Sequence, residues 1–182
     1  MAVTDTAAPA APTERQLWDG AIVCELPGRL ADMSDVRPVP DHQEVWADPE
    51  LDQALIFEIV EHDASVLDAD AGRHMFEDAA AGNEALASSI GAITTLEAAR
   101  EVPGIPEVSY TCLVRGRQTV RRGQEANDTI MLLAVLRLPR LASDLLITLS
   151  TPAAAQQAGE ESEEVVRLVL RTLRVLEYGL FG

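Results

Sequence analysis

Hydrophobic and polar positions divide the chain into short apolar runs broken by turn residues. Gly20 to Leu26 is a compact apolar run halted by Pro27-Gly28, a strand signal. Pro38, Pro40 and Asp41 impose an extended or turning segment, and Gln43 to Ala47 reads as a short second strand. Leu55-Ile56-Phe57-Glu58-Ile59-Val60 is almost continuously apolar, which predicts a central strand covered on both faces. From Asp63 to Asn83, alanines and alternating charges predict helix, in two pieces around Gly72. Ser88 to Leu96 fits helix or strand, and Pro103-Gly104-Ile105-Pro106 breaks whatever precedes it.

The second half reads more clearly. Val108 to Val114 is a strand, Arg115-Gly116-Arg117-Gln118 a turn, and Thr119 to Arg121 the start of the return strand. A polar loop over Arg122 to Asp128 leads into Ile130 to Leu138, ended by Pro139, and then Leu145-Ile147-Leu149. Successive strands with short connections predict an antiparallel sheet. Ala153 to Gly159 is a connector, and an amphipathic helix follows from near Glu160. Its first turns carry Glu160, Glu161, Glu163 and Glu164, and Val165, Leu168, Val169, Leu173 and Leu176 recur with helical period. The expected fold class is α+β: an antiparallel β-sheet sandwiched by α-helices. The expected organisation is an Ala/Pro-rich disordered tail over 1–16 and one domain over 17–182.

Charge narrows the partners. Thirty acidic and 14 basic residues give a net charge of -16. Phosphate backbones and anionic lipid repel such a molecule, so nucleic acid is excluded and a protein with a basic surface is favoured. No run is long and apolar enough to span a bilayer. Every basic residue is arginine, which removes P-loop and Schiff-base chemistry, both of which need lysine. Cys24 and Cys112 sit in apolar runs and read as buried free thiols. His42, His62 and His74 share no metal-ligand spacing, and neither a metal nor a cofactor is expected. Paired carboxylates among Asp32, Asp35, Asp41 and Glu44 leave a hydrolase as a further reading. Arg115, Arg117, Arg121 and Arg122 form a basic cluster, read as an exposed hairpin tip or a docking patch for an acidic partner.

One segment concentrates the candidate chemistry: Asp32-Met33-Ser34-Asp35-Val36-Arg37-Pro38-Val39-Pro40-Asp41-His42-Gln43-Glu44-Val45-Trp46. Its prolines lower the ordering cost of binding, and carboxylates, an arginine and a tryptophan make a hot-spot composition. On physical grounds it reads equally as a plain connection between strands and as a protein-binding loop.

Asp19-Gly20-Ala21-Ile22 and Asp32 to Val45 resemble the motif of the Ran guanine-nucleotide release factor family, the Mog-type Ran-binding proteins. The resemblance extends through Leu55 to Glu61, His74 to Asp78, Ala134 to Pro139, Ser143 to Ile147 and Gly179-Leu180-Phe181. It implies the fold shared with the PsbP photosystem subunit, and binding of the GTPase Ran with release of its nucleotide, without bond chemistry. It further implies a role in nuclear import, with residence in nucleus and cytoplasm. The residues implied to meet Ran are Asp41 and Glu44, with Asp32, Arg37, Gln43 and Asp35 beside them. His42 and Val36 depart mildly from the motif, and Glu84 to Glu107 matches weakly. The free protein is expected to be monomeric. The competing reading is a PsbP-like extrinsic structural subunit of a photosynthetic complex.

Overall fold

The computed structural model describes residues 11–155 and 158–181. Ten strands and three α-helices follow one another among the described residues. The strands are β1 (Thr13–Leu17), β2 (Ile22–Leu26), β3 (Ala31–Asp32), β4 (Gln43–Asp48) and β5 (Gln53–Glu61), then β6 (Ala87–Leu96), β7 (Tyr110–Arg122), β8 (Glu125–Leu138), β9 (Ser143–Pro152) and β10 (Arg174–Val175). The helices are α1 (Asp68–Gly82), the single turn α2 (Ala98–Glu101) and α3 (Ala158–Thr172). Seven strands form one sheet in the order β3-β4-β5-β9-β8-β7-β6, and β1, β2 and β10 form a second. Every pairing is antiparallel.

The large sheet separates two cores. On one face α3 and β2 pack over Leu55, Phe57, Leu113, Leu132, Leu136 and Ile147. Val166, Val169 and Leu170 of α3 are fully buried there, as is Leu173 just past its end. Leu176 is 57% exposed, because the chain has left the helix and turned into β10. On the other face α1 packs Phe76 and Met75 against Cys112, Val114, Met131 and Leu133. This helix packs chiefly on β6, β7 and β8. β5 therefore alternates rather than being buried on both faces: Leu55 and Phe57 are covered, Ile56 and Val60 half-covered. The expected arrangement, a sheet with helices on both faces, is the observed one, but one face is only partly covered.

Two glycines explain two departures from the sequence reading. α1 runs unbroken through Gly72, where an added Cβ would lie 2.9 Å from Cys112 Sγ. Glycine there permits close helix–sheet contact and does not break the helix. Arg115 to Gln118 is strand, not turn, and Gly116 sits under Phe76, whose ring an added Cβ would meet at 2.4 Å. The reversal comes later, at Gly123, with φ of 63°. Gly116→Ala is expected to lower stability by about 1–3 kcal/mol through overpacking. Urea unfolding measures it, and an unchanged midpoint would remove Phe76 from this role.

The segment between α1 and α2 that fitted helix or strand is β6. Both cysteines are buried and free, and burial pushes the Cys24 thiol up to about 12 and raises that of Cys112. At the start, β1 begins at Thr13, ahead of the expected onset at Leu17, because Arg15 and Gln16 pair with Cys24 and Val23 of β2. Residues 1–10 of the expected tail, and 156–157 of the connector, lie outside the described residues.

Candidate functional site: an acidic depression beside the β3–β4 loop

β3 and β4 pair through Ala31–Ala47 and Asp32–Trp46, and residues 33–42 span the gap between them. The loop is fixed by its backbone. Met33 N–H donates to Val45 O at 2.9 Å, Arg37 N–H to Met33 O at 3.0 Å, and Gln43 N–H to Pro40 O at 2.8 Å. Asp32 Oδ1 accepts from Ser34 N–H at 2.8 Å, an Asx turn that opens the loop.

A second segment meets this loop from across the chain. Trp18, Asp19 and Gly20 all have positive φ, at 47°, 54° and 92°. Two consecutive non-glycine residues in this region are costly and persist only when their surroundings fix them. Glu44 and Trp18 provide that fixing. Trp18 N–H donates to Glu44 Oε1 at 2.6 Å, and Trp18 Nε1–H donates to the Asp41 carbonyl at 2.9 Å. One tryptophan thus clasps both Asp41 and Glu44.

The clasp creates a depression of about 530 Å³, lined by Trp18, Asp19, Asp32, Asp41 and Glu44 together with Gln16, Ser34, Val39, Pro40 and Gln43. Four carboxylates therefore surround one hollow. They differ in availability. Asp41 is exposed and no hydrogen bond or ion pair engages its carboxylate among the described residues, whereas that of Glu44 is half-buried and committed to Trp18. Desolvation raises the Glu44 pKa, the Trp18 N–H opposes this, and the charges of Asp32 and Asp19 raise it further. Such a surface has stored repulsion that a cation relieves, so it suits a lysine or arginine of another protein.

Of the residues expected at the site, Asp32, Asp41, Gln43 and Glu44 line the depression, while Asp35 and Arg37 lie outside it on the exposed loop. Gln43 turns its amide away, to Glu58 Oε1 at 3.0 Å, an oxygen that His42 also approaches at 3.3 Å. Trp46 is not a surface anchor. It is 5% exposed, part of the core, with the Arg15 guanidinium over its ring. The tryptophan of the site is Trp18, which the motif does not contain. The Asp19-Gly20 dipeptide, a turn signal, marks its position in the sequence. No group of three or more His, Cys, Asp or Glu side chains among the described residues could hold a metal.

A family model described as Ran-interacting Mog1 protein matches residues 15–152. The Ran guanine nucleotide release factor of Danio rerio is 33% identical over 184 residues, covering 92% of this chain and 99% of its own. That of Homo sapiens is 35% identical over 139 residues, covering 75% and 74%. Among solved structures, the Saccharomyces cerevisiae Ran-binding protein Mog1p superposes with a TM-score of 0.72 at 19% identity, covering 95% of this chain and all of that one. Cyanobacterial PsbP from Synechocystis superposes with a TM-score of 0.53 at 12% identity, covering 96% and 98%.

Proposed function

The chain belongs to the family of Ran-interacting Mog1 proteins, and from that membership and the acidic depression we propose that it binds Ran and promotes release of its guanine nucleotide. The observation that carries the reading is the Trp18 clasp, which holds Asp41 with a free carboxylate beside Asp32, Asp19 and Glu44. Asp41, Asp32 and Asp19 present charge to a basic surface of Ran. Glu44 acts chiefly by holding Trp18, and Arg37 and Asp35 meet the partner at the rim.

Release follows from linkage. A protein that binds nucleotide-free Ran more tightly than loaded Ran weakens nucleotide binding by the same factor. Carboxylates near the phosphate site can pair with its P-loop lysine and replace a phosphate contact. The protein is then a regulator acting in nuclear import and present in nucleus and cytoplasm, and it catalyses no bond chemistry. The likeness to PsbP extends to the fold alone.

The test is release of a fluorescent GDP or GTP analogue from Ran, with and without this protein. Acceleration of at least about tenfold at saturation is expected, equivalent to a release barrier lowered by about 1.4 kcal/mol. Unchanged release of both nucleotides would refute the reading. Trp18→Phe separates the clasp from its ring. It removes one net hydrogen bond, about 1 kcal/mol, and should weaken Ran binding about fivefold, with a smaller change in melting temperature. Wild-type affinity in that variant would show that the indole N–H does not position Asp41.

A further inference from the structure

The two edges of the large sheet are built differently. β3 ends one side and is only Ala31–Asp32, a length that offers no template. β6 ends the other side with ten residues, Ala-Ser-Ser-Ile-Gly-Ala-Ile-Thr-Thr-Leu, that include neither a charge nor a proline. Its one interruption is a register shift between Ile90 and Ala92. Natural sheets usually blunt such an edge with lysine, proline or a short strand, because alternate backbone N–H and C=O groups along it are open to pairing.

The neighbouring strand supplies a charge. Cys112 and Val114 of β7 face α1, so Arg115, Arg117 and Arg121 lie on the opposite face by strand alternation. Arg115 is ion-paired with Glu163 of α3. Arg117 and Arg121 are exposed and have no carboxylate partner among the described residues. Across from Arg117 and Arg115, β6 carries only Ser89 and Ala92, with Ala87 opposite Thr119. Strands lie about 4.8 Å apart, so a strand added outside β6 would sit two spacings from β7. Small side chains in between leave room for Arg117 to reach it, and Arg121 continues the same face past the end of β6. The sequence cluster is thus a basic strip behind an open edge.

We propose that β6 receives an extended, acidic segment of a partner protein by strand addition, its carboxylates placed on the face of Arg117 and Arg121. A second copy of this chain fits poorly. Its β6 offers no carboxylate to these arginines, and it brings a net charge of -16 against another -16. This edge is at the far side of the sheet from the β3–β4 loop, so the proposal stands apart from the Ran reading.

The probe is a capped peptide alternating valine with aspartate, titrated into the ¹⁵N-labelled full chain. Its controls are the same peptide with asparagine for aspartate, and one N-methylated on its pairing edge. Saturable shifts confined to residues 87–96 and β7 are expected, with the asparagine peptide about tenfold weaker and the methylated one inactive. Arg117→Ala, or Arg117→Gln should the first fold poorly, should remove the difference between aspartate and asparagine peptides. Equal affinity of the two peptides for the wild type, shifts elsewhere, no saturation, or β6 shifts that follow protein concentration alone would each overturn the proposal, the last by showing self-association.

Discussion

Asp41→Lys is expected to keep the wild-type melting temperature and to lose Ran binding by at least about a hundredfold. Asp41 is exposed and its side chain makes no contact that the fold requires, while its backbone carbonyl, which Trp18 holds, survives the substitution. Surface changes of this kind move stability by less than about 0.5 kcal/mol. A lysine in the depression would face the basic surface of Ran proposed to dock there, and like charges in an interface cost several kcal/mol, where each 1.4 kcal/mol is about tenfold. Glu44→Lys should behave differently. Glu44 is half-buried and holds Trp18 N–H at 2.6 Å, so its reversal should lose binding and also lower the melting temperature as the Trp18–Gly20 turn loosens. Asp70→Lys, in the exposed first turn of α1, carries the same change in net charge away from the site. Titrations at two salt concentrations separate contact from steering, which fades over about 8 Å at physiological ionic strength. Equal, salt-sensitive losses in all three variants would mean that only net charge matters.

Arg137→Met should cost about 3–5 kcal/mol of folding free energy, the loss typical of breaking a buried ion pair from one side. Arg137 is 2% exposed, directly opposite Asp144, which is fully buried. Their nearest approach, Nε to Oδ2 at 3.5 Å, is electrostatic contact without hydrogen-bond geometry. The hydrogen bonds of Arg137 go instead to the β5–α1 connection, to Val66 O at 2.6 Å and Asp63 O at 2.7 Å, and to Asp68 Oδ1 at the start of α1 at 3.0 Å. Asp144 in turn accepts from Leu138 N–H at 3.3 Å and meets His62 Nδ1 at 2.7 Å. Methionine fills similar volume yet leaves those carbonyls without their donor and the carboxylate without its cation. Arg137→Met with Asp144→Leu should be less damaged than Arg137→Met alone, since the stranded charge is then gone. Chemical denaturation of both variants decides it. A loss below 1 kcal/mol in the single variant would show that water replaces the guanidinium.

The sheet was legible because its strands are apolar runs punctuated by proline and glycine, and α3 because its stripe repeats with helical period. What escaped the sequence depended on partners distant in the chain. Gly116 and Gly72 look like breakers until Phe76 and Cys112 are seen against them. Leu176 keeps the helical period but falls after Thr172, where Arg174 and Val175 pair with β2. The acidic loop was visible as composition, and four of its six proposed residues line the depression. The clasp was not visible, because its hydrogen bonds join residues 18 and 41, and 18 and 44. The sequence likewise placed a tryptophan at the site but pointed to Trp46, since burial depends on which side chains of β4 turn into the core.

The small sheet bears on how the protein is made. β2 carries Ile22, Val23, Cys24 and Leu26, all buried, and it lies between β1, its immediate predecessor, and β10 at residues 174–175. Arg174 also reaches Glu14 at 2.6 Å. During translation the β1–β2 hairpin emerges early, yet one side of β2 lacks its neighbour until almost the whole described chain has left the ribosome. The long β7–β8 hairpin can form as soon as it is synthesised, whereas the layer that supports Trp18 is completed last. The depression proposed to meet Ran therefore gains its full support only once β10 has been made, and a nascent chain stalled before β10 would carry the acidic motif without a finished platform beneath it.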